Sequence, residues 1–90
     1  MIKHYRIQII GKVQGVWFRK YTKEAAMSYN VKGMVKNEID GRVYIQAEGE
    51  EKDLTSFVQW LHKGSPLSKV KEVVWEEGIV QHYSEFKISR

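Results

Sequence analysis

The feature that most constrains this fold is a strand that leads through a glycine-bracketed segment into a helix. Apolar and polar side chains alternate in YRIQI (residues 5–9), which predicts a half-buried strand over about His4–Ile10. The segment GKVQGVWFR follows at residues 11–19, and a helical pattern of apolar residues then runs over about Phe18–Asn30. The two glycines of this segment therefore bracket a turn that joins a sheet to the start of a helix.

The rest of the chain continues with strands and a second helix. Alternating runs predict a β-hairpin of residues 35–40 and 41–48, with Asp40 and Gly41 as the central residues of a type I′ turn. The second helix has apolar residues at the spacing i, i+3, i+4 and i+7. These residues are Leu54, Phe57, Val58 and Leu61. Further strands are predicted at about residues 71–77 and 83–89.

The predicted order is β-α-β-β-α-β with an extra strand near the end. Two amphipathic helices on one face of a mostly antiparallel sheet make a ferredoxin-like α+β sandwich. The 90 residues suffice for one domain, and we expect residues 1–90 to form it.

Composition excludes several classes of protein. The chain has no cysteine, which rules out disulfides, thiol catalysis and a zinc–cysteine site. Its apolar runs are far shorter than the roughly 20 residues that span a bilayer, and its N-terminus reads as a charged strand, unlike a signal peptide. We therefore expect a soluble, cytoplasmic protein without membrane contact, and a monomer.

The net charge of +4 is unevenly distributed along the chain. Residues 1–23 contain six Lys and Arg and no Asp or Glu, whereas acidic residues gather near residue 50. A local excess of positive charge attracts an anionic ligand, either small or polymeric. Lys20 and Lys23 supply such attraction, and we assign them no chemical role.

The start of the first helix lacks the residue that usually caps a helix. No Ser, Thr, Asp or Asn occurs between Gly11 and Arg19, and the first turns hold cations at the positive end of the helix dipole. A bound oxyanion would correct both defects, because it accepts the free N–H groups and pairs with the planar guanidinium of Arg19. The alternative interpretation is a glycine turn with a surface arginine, since glycine turns are common. Neither a Walker nor a dinucleotide-binding pattern is present.

Asn37 is the second polar candidate. An Asn beside a hairpin turn commonly caps that turn, and this structural role is the alternative interpretation. In the predicted fold, however, the first hairpin strand directly follows the first helix. Asn37 could therefore come close to the loop that precedes that helix.

Both segments resemble the signatures of the acylphosphatase family. Residues 11–19 match G-x-V-Q-G-V-x-F-R at every fixed position, and residues 33–49 follow the second signature. The matching positions of the second signature are Asn37, Gly41, Val43 and Gly49. Met34 departs from it, since the family usually has an aromatic residue there, and this change is expected to alter packing near Gly33. The similarity covers essentially the whole chain.

The resemblance implies an enzyme that hydrolyses acyl phosphates to a carboxylate and phosphate, without a metal or another cofactor. Arg19 and the backbone N–H groups of the loop would bind the phosphoryl group, and Asn37 would hold the attacking water. The loop residues are Gly15, Val16, Trp17, Phe18 and Arg19. The leaving carboxylate is a stable anion, so no strong general acid is required. Because Asn cannot take a proton, a phosphoryl oxygen or solvent is expected to accept the proton of the water.

Two other functions fit the charge and the fold. A basic ferredoxin-like sheet also suits an RNA-binding module, but GRVYIQAE (residues 41–48) has one exposed Tyr and lacks the aromatic signature of such modules. An accessory domain of the kind fused to carbamoyl-transfer enzymes carries similar signatures, although a free-standing chain argues against it. We therefore expect a small acyl phosphate, and no nucleic acid, as the partner.

Several residues are assigned structural roles. The histidines lack a matching carboxylate pattern and are expected at surface or partly buried positions; they are His4, His62 and His82. The acidic residues near position 50 are expected to form an ordinary helix start; they are Glu48, Glu50, Glu51 and Asp53. Trp17 is expected either to line the mouth of the anion site or to pack in the core.

Overall fold

The computed structural model describes residues 1–89, and its elements follow the predicted order. The strands are β1 (Ile2–Lys12), β2 (Lys32–Asn37), β3 (Val43–Glu50), β4 (Lys69–Gly78) and β5 (Phe86–Ile88). The helices are α1 (Phe18–Ser28) and α2 (Glu51–Lys63). One mixed sheet has the order β4-β1-β3-β2-β5, in which only the pair β2–β5 is parallel. The predicted ferredoxin-like α+β fold with an extra strand is confirmed.

The core lies between the two helices and one face of the sheet. Tyr5, Ile7 and Ile9 are buried, as the alternation of β1 predicts. The buried helical residues are Phe18, Thr22, Ala25 and Ala26 from α1, and Leu54, Phe57 and Leu61 from α2. Full burial of one large apolar side chain contributes roughly 1.5–3 kcal/mol, so this layer holds both helices against the sheet. Within residues 1–89, we find no helix that is long and apolar enough to cross a membrane.

Helix α1 ends two residues before the predicted position. Asn30 adopts a left-handed conformation with φ 60°. The N–H of Val31 donates to the carbonyl of Ala26 at 2.8 Å, and that of Asn30 donates to the carbonyl of Met27 at 3.3 Å. These two bonds form a Schellman motif, which satisfies the last carbonyls of the helix and turns the chain into β2.

The β2–β3 turn differs from the predicted type I′ turn. Gly41 has φ 97°, but Asp40 is not among the residues with positive φ. The N–H of Gly41 donates to the carbonyl of Glu38 at 3.2 Å, and the N–H of Glu38 donates to the carbonyl of Arg42 at 2.8 Å. The loop is therefore one residue longer, a turn followed by a glycine bulge. The Asp40 carboxylate accepts the N–H of Arg42 at 3.1 Å and its Nε–H at 2.8 Å, which fixes this form.

A buried pair of ionisable residues lies near the start of β1 and the end of β3. The expected surface or partly buried position of His4 and the expected helix-start position of Glu48 were both wrong, because these residues are buried and face each other across the two strands. His4 Nδ1 lies 2.7 Å from Glu48 Oε2, and both side chains are almost fully buried. The carboxylate also accepts the backbone N–H groups of Gln81 and Tyr83, so it holds the β4–β5 connection onto the sheet.

The pKa of Glu48 reflects these contacts. Burial raises it, but the N–H donors of Gln81 and Tyr83, together with His4, outweigh burial and hold the pKa below the ordinary glutamate value. The carboxylate is therefore ionised near neutral pH and acts only as an acceptor, so His4 donates through Nδ1. Strand β5 is shorter than predicted because Tyr83, its expected first residue, is bound to Glu48.

Candidate active site

The segment between β1 and α1 is fixed at several points. Val13 and Val16 are buried, and Ser65 Oγ donates to the carbonyl of Val16 at 3.0 Å. Gln14 Nε2 donates to the carbonyls of Glu38 and Arg42 at 2.7 and 2.9 Å, which ties the segment to the β2–β3 turn. Residues 13–17 therefore form a braced loop whose position is coupled to the hairpin.

The start of α1, directly after this loop, has N–H groups that the helix itself leaves without acceptors. Gly15 has φ 72° and Trp17 has φ 62°, and the first helical hydrogen bond runs from Tyr21 N–H to Trp17 carbonyl at 3.1 Å. In the described part of the chain, residues 1–89, no side chain caps the helix and its first turn has no acid. The N–H groups of residues 18–20 have no acceptor within the helix. Left-handed residues beside a helix start are typical of backbone concavities that bind anions.

The start of helix α2 can be compared with the start of α1. Its start also lacks a side-chain cap, but Glu51 and Asp53 lie in its first turn. The two helices therefore differ in the charge near their positive ends and not in capping. The first turn of α1 holds the cations Arg19 and Lys20 and no acid, whereas in α2 the acids outnumber the single cation Lys52. A bound anion would neutralise the positive charge at the start of α1.

Arg19 is the first cation of α1, and Ser89, the residue after strand β5, binds it. Its Nη1 donates to the carbonyl of Ser89 at 3.3 Å, and the N–H of Ser89 donates to the carbonyl of Val35 at 2.7 Å. A guanidinium has five N–H donors, so one such bond orients Arg19 and leaves other donors available for a ligand.

Asn37 ends β2 close to this loop. Its Oδ1 is buried and has no hydrogen-bond partner within residues 1–89. The alternative role of Asn37 as a cap of the turn does not fit this geometry, because the carboxylate of Asp40 binds the turn instead. A buried acceptor without a partner is uncommon in folded proteins and suggests a ligand or an ordered water.

One cavity of about 450 Å³ contains both polar candidates. Its lining residues are Val13, Gly15, Trp17, Phe18, Arg19, Lys20, Asn37 and Ile88. Within residues 1–89, the charged residues that line it are the cations Arg19 and Lys20. The fold therefore brings together every predicted site residue except Val16, whose side chain is buried and whose carbonyl is bound to Ser65.

Two features of the site were not assigned from the sequence. The role of Gln14 as a bridge to the turn could have been found only from its fixed position in the first signature. For Trp17 the sequence left two positions open, either the mouth of the site or the core. Its side chain lines the cavity and the residue is 69% exposed, so it does not pack in the core.

Met34 alternates with buried Val35 and therefore lies on the sheet face away from the core.

The comparison with known families decides what kind of protein this is. The family model described as Acylphosphatase matches residues 5–88. The chain belongs to the acylphosphatase family. The acylphosphatase of Archaeoglobus fulgidus is 41% identical over 83 residues, which are 92% of this chain and 93% of the relative. The resemblance seen in the two signatures is confirmed, and with it the prediction of an acylphosphatase.

Solved structures of the family have the same fold. The crystal structure of acylphosphatase from Bacillus subtilis has a TM-score of 0.96 and 42% identity, and each chain is fully covered. Full-length HypF, in its phosphate- and nucleotide-bound form, matches with a TM-score of 0.90 and 36% identity over 12% of its length. An acylphosphatase-like unit therefore also occurs inside a longer protein. Among residues 1–89 of this chain, no three His, Asp or Glu side chains are grouped so as to hold a metal ion.

Proposed function

We propose that this acylphosphatase hydrolyses acyl phosphates in the cavity between the loop and β2, with Arg19 and Asn37 as the two catalytic side chains. The phosphoryl group occupies the concavity of residues 15–19, where backbone N–H groups and the guanidinium converge. The substrate is a small molecule, and residues 1–90 act as one domain and as a monomer.

Charge supports the phosphoryl position. A phosphoryl group carries negative charge on its peripheral oxygens, and this charge is stabilised by donors that are already in place. Arg19 supplies a planar pair of N–H donors and is held by Ser89, so little reorganisation accompanies binding. The free N–H groups at the start of α1 add the positive end of the helix dipole.

The observation that carries the proposal is the buried, unpartnered Oδ1 of Asn37 in the cavity that Arg19 also lines. An amide oxygen accepts a hydrogen bond from water and thereby directs the lone pairs of that water toward the phosphorus. Holding the nucleophile in line lowers the barrier because the entropy of bringing it there has already been lost. Asn37 orients the water and takes no proton.

The leaving group explains why no acid is needed. Attack of water on phosphorus forms one P–O bond and breaks the bond to the carboxylate oxygen, which leaves as a stable anion. The proton of the attacking water passes to a phosphoryl oxygen or to solvent. The pH profile of kcat should therefore show no essential enzyme base near neutrality, and a bell-shaped profile with such a base would contradict this step.

Hydrolysis of acetyl phosphate by wild type, Arg19→Ala and Asn37→Ala tests the proposal. Removal of one preorganised donor from a charged transition state commonly lowers kcat by about 10²–10³-fold, and we expect a loss of this order for Arg19→Ala. Asn37→Ala leaves the water without its acceptor, and misplacement of a reacting group costs about 10²-fold. Arg6→Ala and Asn30→Gly are matched controls, because Arg6 pairs with Glu76 outside the cavity and glycine suits the left-handed position 30.

The outcomes separate the two roles. Absence of turnover by wild type would remove the enzymatic proposal. Full activity of Asn37→Ala beside an inactive Arg19→Ala would leave phosphate binding intact and contradict the positioning of water by Asn37.

A further inference from the structure

Trp17 combines two unusual properties at the mouth of the cavity. It is a bulky residue in the left-handed conformation, with φ 62°, and it is 69% exposed. Glycine or asparagine adopts this conformation with less strain. Backbone strain of this kind is typical of functional sites, and core packing does not account for the indole here.

Lys20 contacts the indole of Trp17. Its Nζ lies 5.7 Å from the centre of the Trp17 ring, within the range of a cation–π contact. Both residues line the cavity, so the ring stands beside the phosphoryl position and keeps most of its apolar surface open.

The cavity has room for more than a phosphoryl group. Its volume of about 450 Å³ lies in the range of pockets that bind small organic ligands. Its apolar lining has two parts: Val13 and Phe18 are buried in the core, whereas Trp17 and Ile88 have exposed surface. When the phosphoryl group occupies the loop, the acyl group meets these open side chains, of which Trp17 is the larger.

We propose that the side chain of Trp17 forms the subsite for the acyl group and that it favours aromatic acyl phosphates over small aliphatic ones. An indole provides a broad apolar face on which an aryl ring stacks in an offset or edge-on arrangement. The inference depends on the proposed function, since it requires the phosphoryl group to occupy the loop.

The test compares benzoyl phosphate with acetyl phosphate. Trp17→Asn introduces a residue that suits the left-handed conformation. In this variant the ratio of kcat/KM for benzoyl to acetyl phosphate should fall about tenfold. The loss should lie mainly in the KM for benzoyl phosphate, because the subsite binds a part of the substrate that does not react. Trp17→Phe should recover part of the ratio. Met27→Ala, a similarly exposed residue of α1 outside this cavity, should keep the wild-type ratio.

Each outcome has a distinct meaning. If wild type turns over neither substrate, the proposed function itself fails. If both are turned over and Trp17→Asn keeps the wild-type ratio, the acyl subsite is refuted while the function stands. The melting temperature of Trp17→Asn should not fall, because the strained backbone is relieved; a large decrease would show that the indole is structural. Trp17→Gly repeats the comparison with a second residue that suits this backbone.

Discussion

Replacement of Glu48 by Gln tests how strongly one buried carboxylate holds the β4–β5 connection. The side chain accepts the N–H groups of Gln81 and Tyr83 and the Nδ1–H of His4. A Gln of the same shape has one acceptor and one donor at its tip. Whichever way its amide turns, at least one partly buried N–H group then faces another donor.

The size of the effect follows from these contacts. An unsatisfied buried donor costs about 1–3 kcal/mol, and the remaining bonds lose the extra strength of a charged acceptor. We therefore expect the free energy of unfolding to decrease by about 2–4 kcal/mol. Urea unfolding at pH 7, followed by circular dichroism, measures this difference. Glu50→Gln, in the same strand but exposed, is the matched control and should change the midpoint little.

The pH dependence of the free energy of unfolding tests the role of Glu48 a second time. The pKa of Glu48 in the folded protein lies below the ordinary glutamate value of 4.5, so the folded state binds fewer protons than the unfolded state. Its stabilising contribution is therefore complete above pH 4.5 and is lost as the pH falls through the folded-state pKa. Wild type should lose more stability on acidification than Glu48→Gln. Parallel pH curves, or a loss in Glu48→Gln of less than about 1 kcal/mol at pH 7, would refute this reasoning.

Three further predictions concern the glycines, the loop and the ligand. Gly33→Ala should prevent stable folding, because a Cβ at this position would lie 1.8 Å from the Gln46 carbonyl oxygen. In Gly41→Ala the new Cβ has no atom within 4 Å, so this variant should fold with a lower melting temperature. Gln14→Ala removes two bonds from the loop to the turn and should lower kcat/KM about tenfold, since small misplacement of a reacting group slows catalysis; unchanged kinetics would exclude a positioning role. Inorganic phosphate at about ten times its Kd should stabilise wild type by roughly 1.4 kcal/mol in thermal melts and Arg19→Ala by less; equal shifts would place the anion elsewhere.

The parts of the fold that were predicted correctly depend on local periodicity. The alternation of β1 and the apolar stripe of α2 define buried faces, and these faces are buried in the structure. Element ends were less accurate because they depend on specific bonds from side chains to the backbone. The short β5 and the turn at Asp40 are examples, since Glu48 and Arg42 determine their form.

The candidate site shows the same division. Arg19 and Asn37 were paired from the signatures and the expected topology, and the structure places them in one cavity. The His4–Glu48 pair was missed because its members are 44 residues apart in sequence, and their burial depends on a connection that folds over them. No local pattern encodes such an event. The strain at Trp17 was invisible for a similar reason, since a backbone angle cannot be read from a residue name.

The position of β1 in the sheet has a consequence for the kinetics of folding. It lies between β3 and β4, and its partners are more than 30 and more than 50 residues away along the chain. Pairings between such distant segments form slowly, because the entropy of closing a large loop is lost before the stabilising contacts form. The loop of residues 13–17 leaves directly from the end of β1, so it cannot take its shape before these pairings exist. Phosphate should therefore slow unfolding without accelerating refolding, and enzymatic activity should return only in the last kinetic phase.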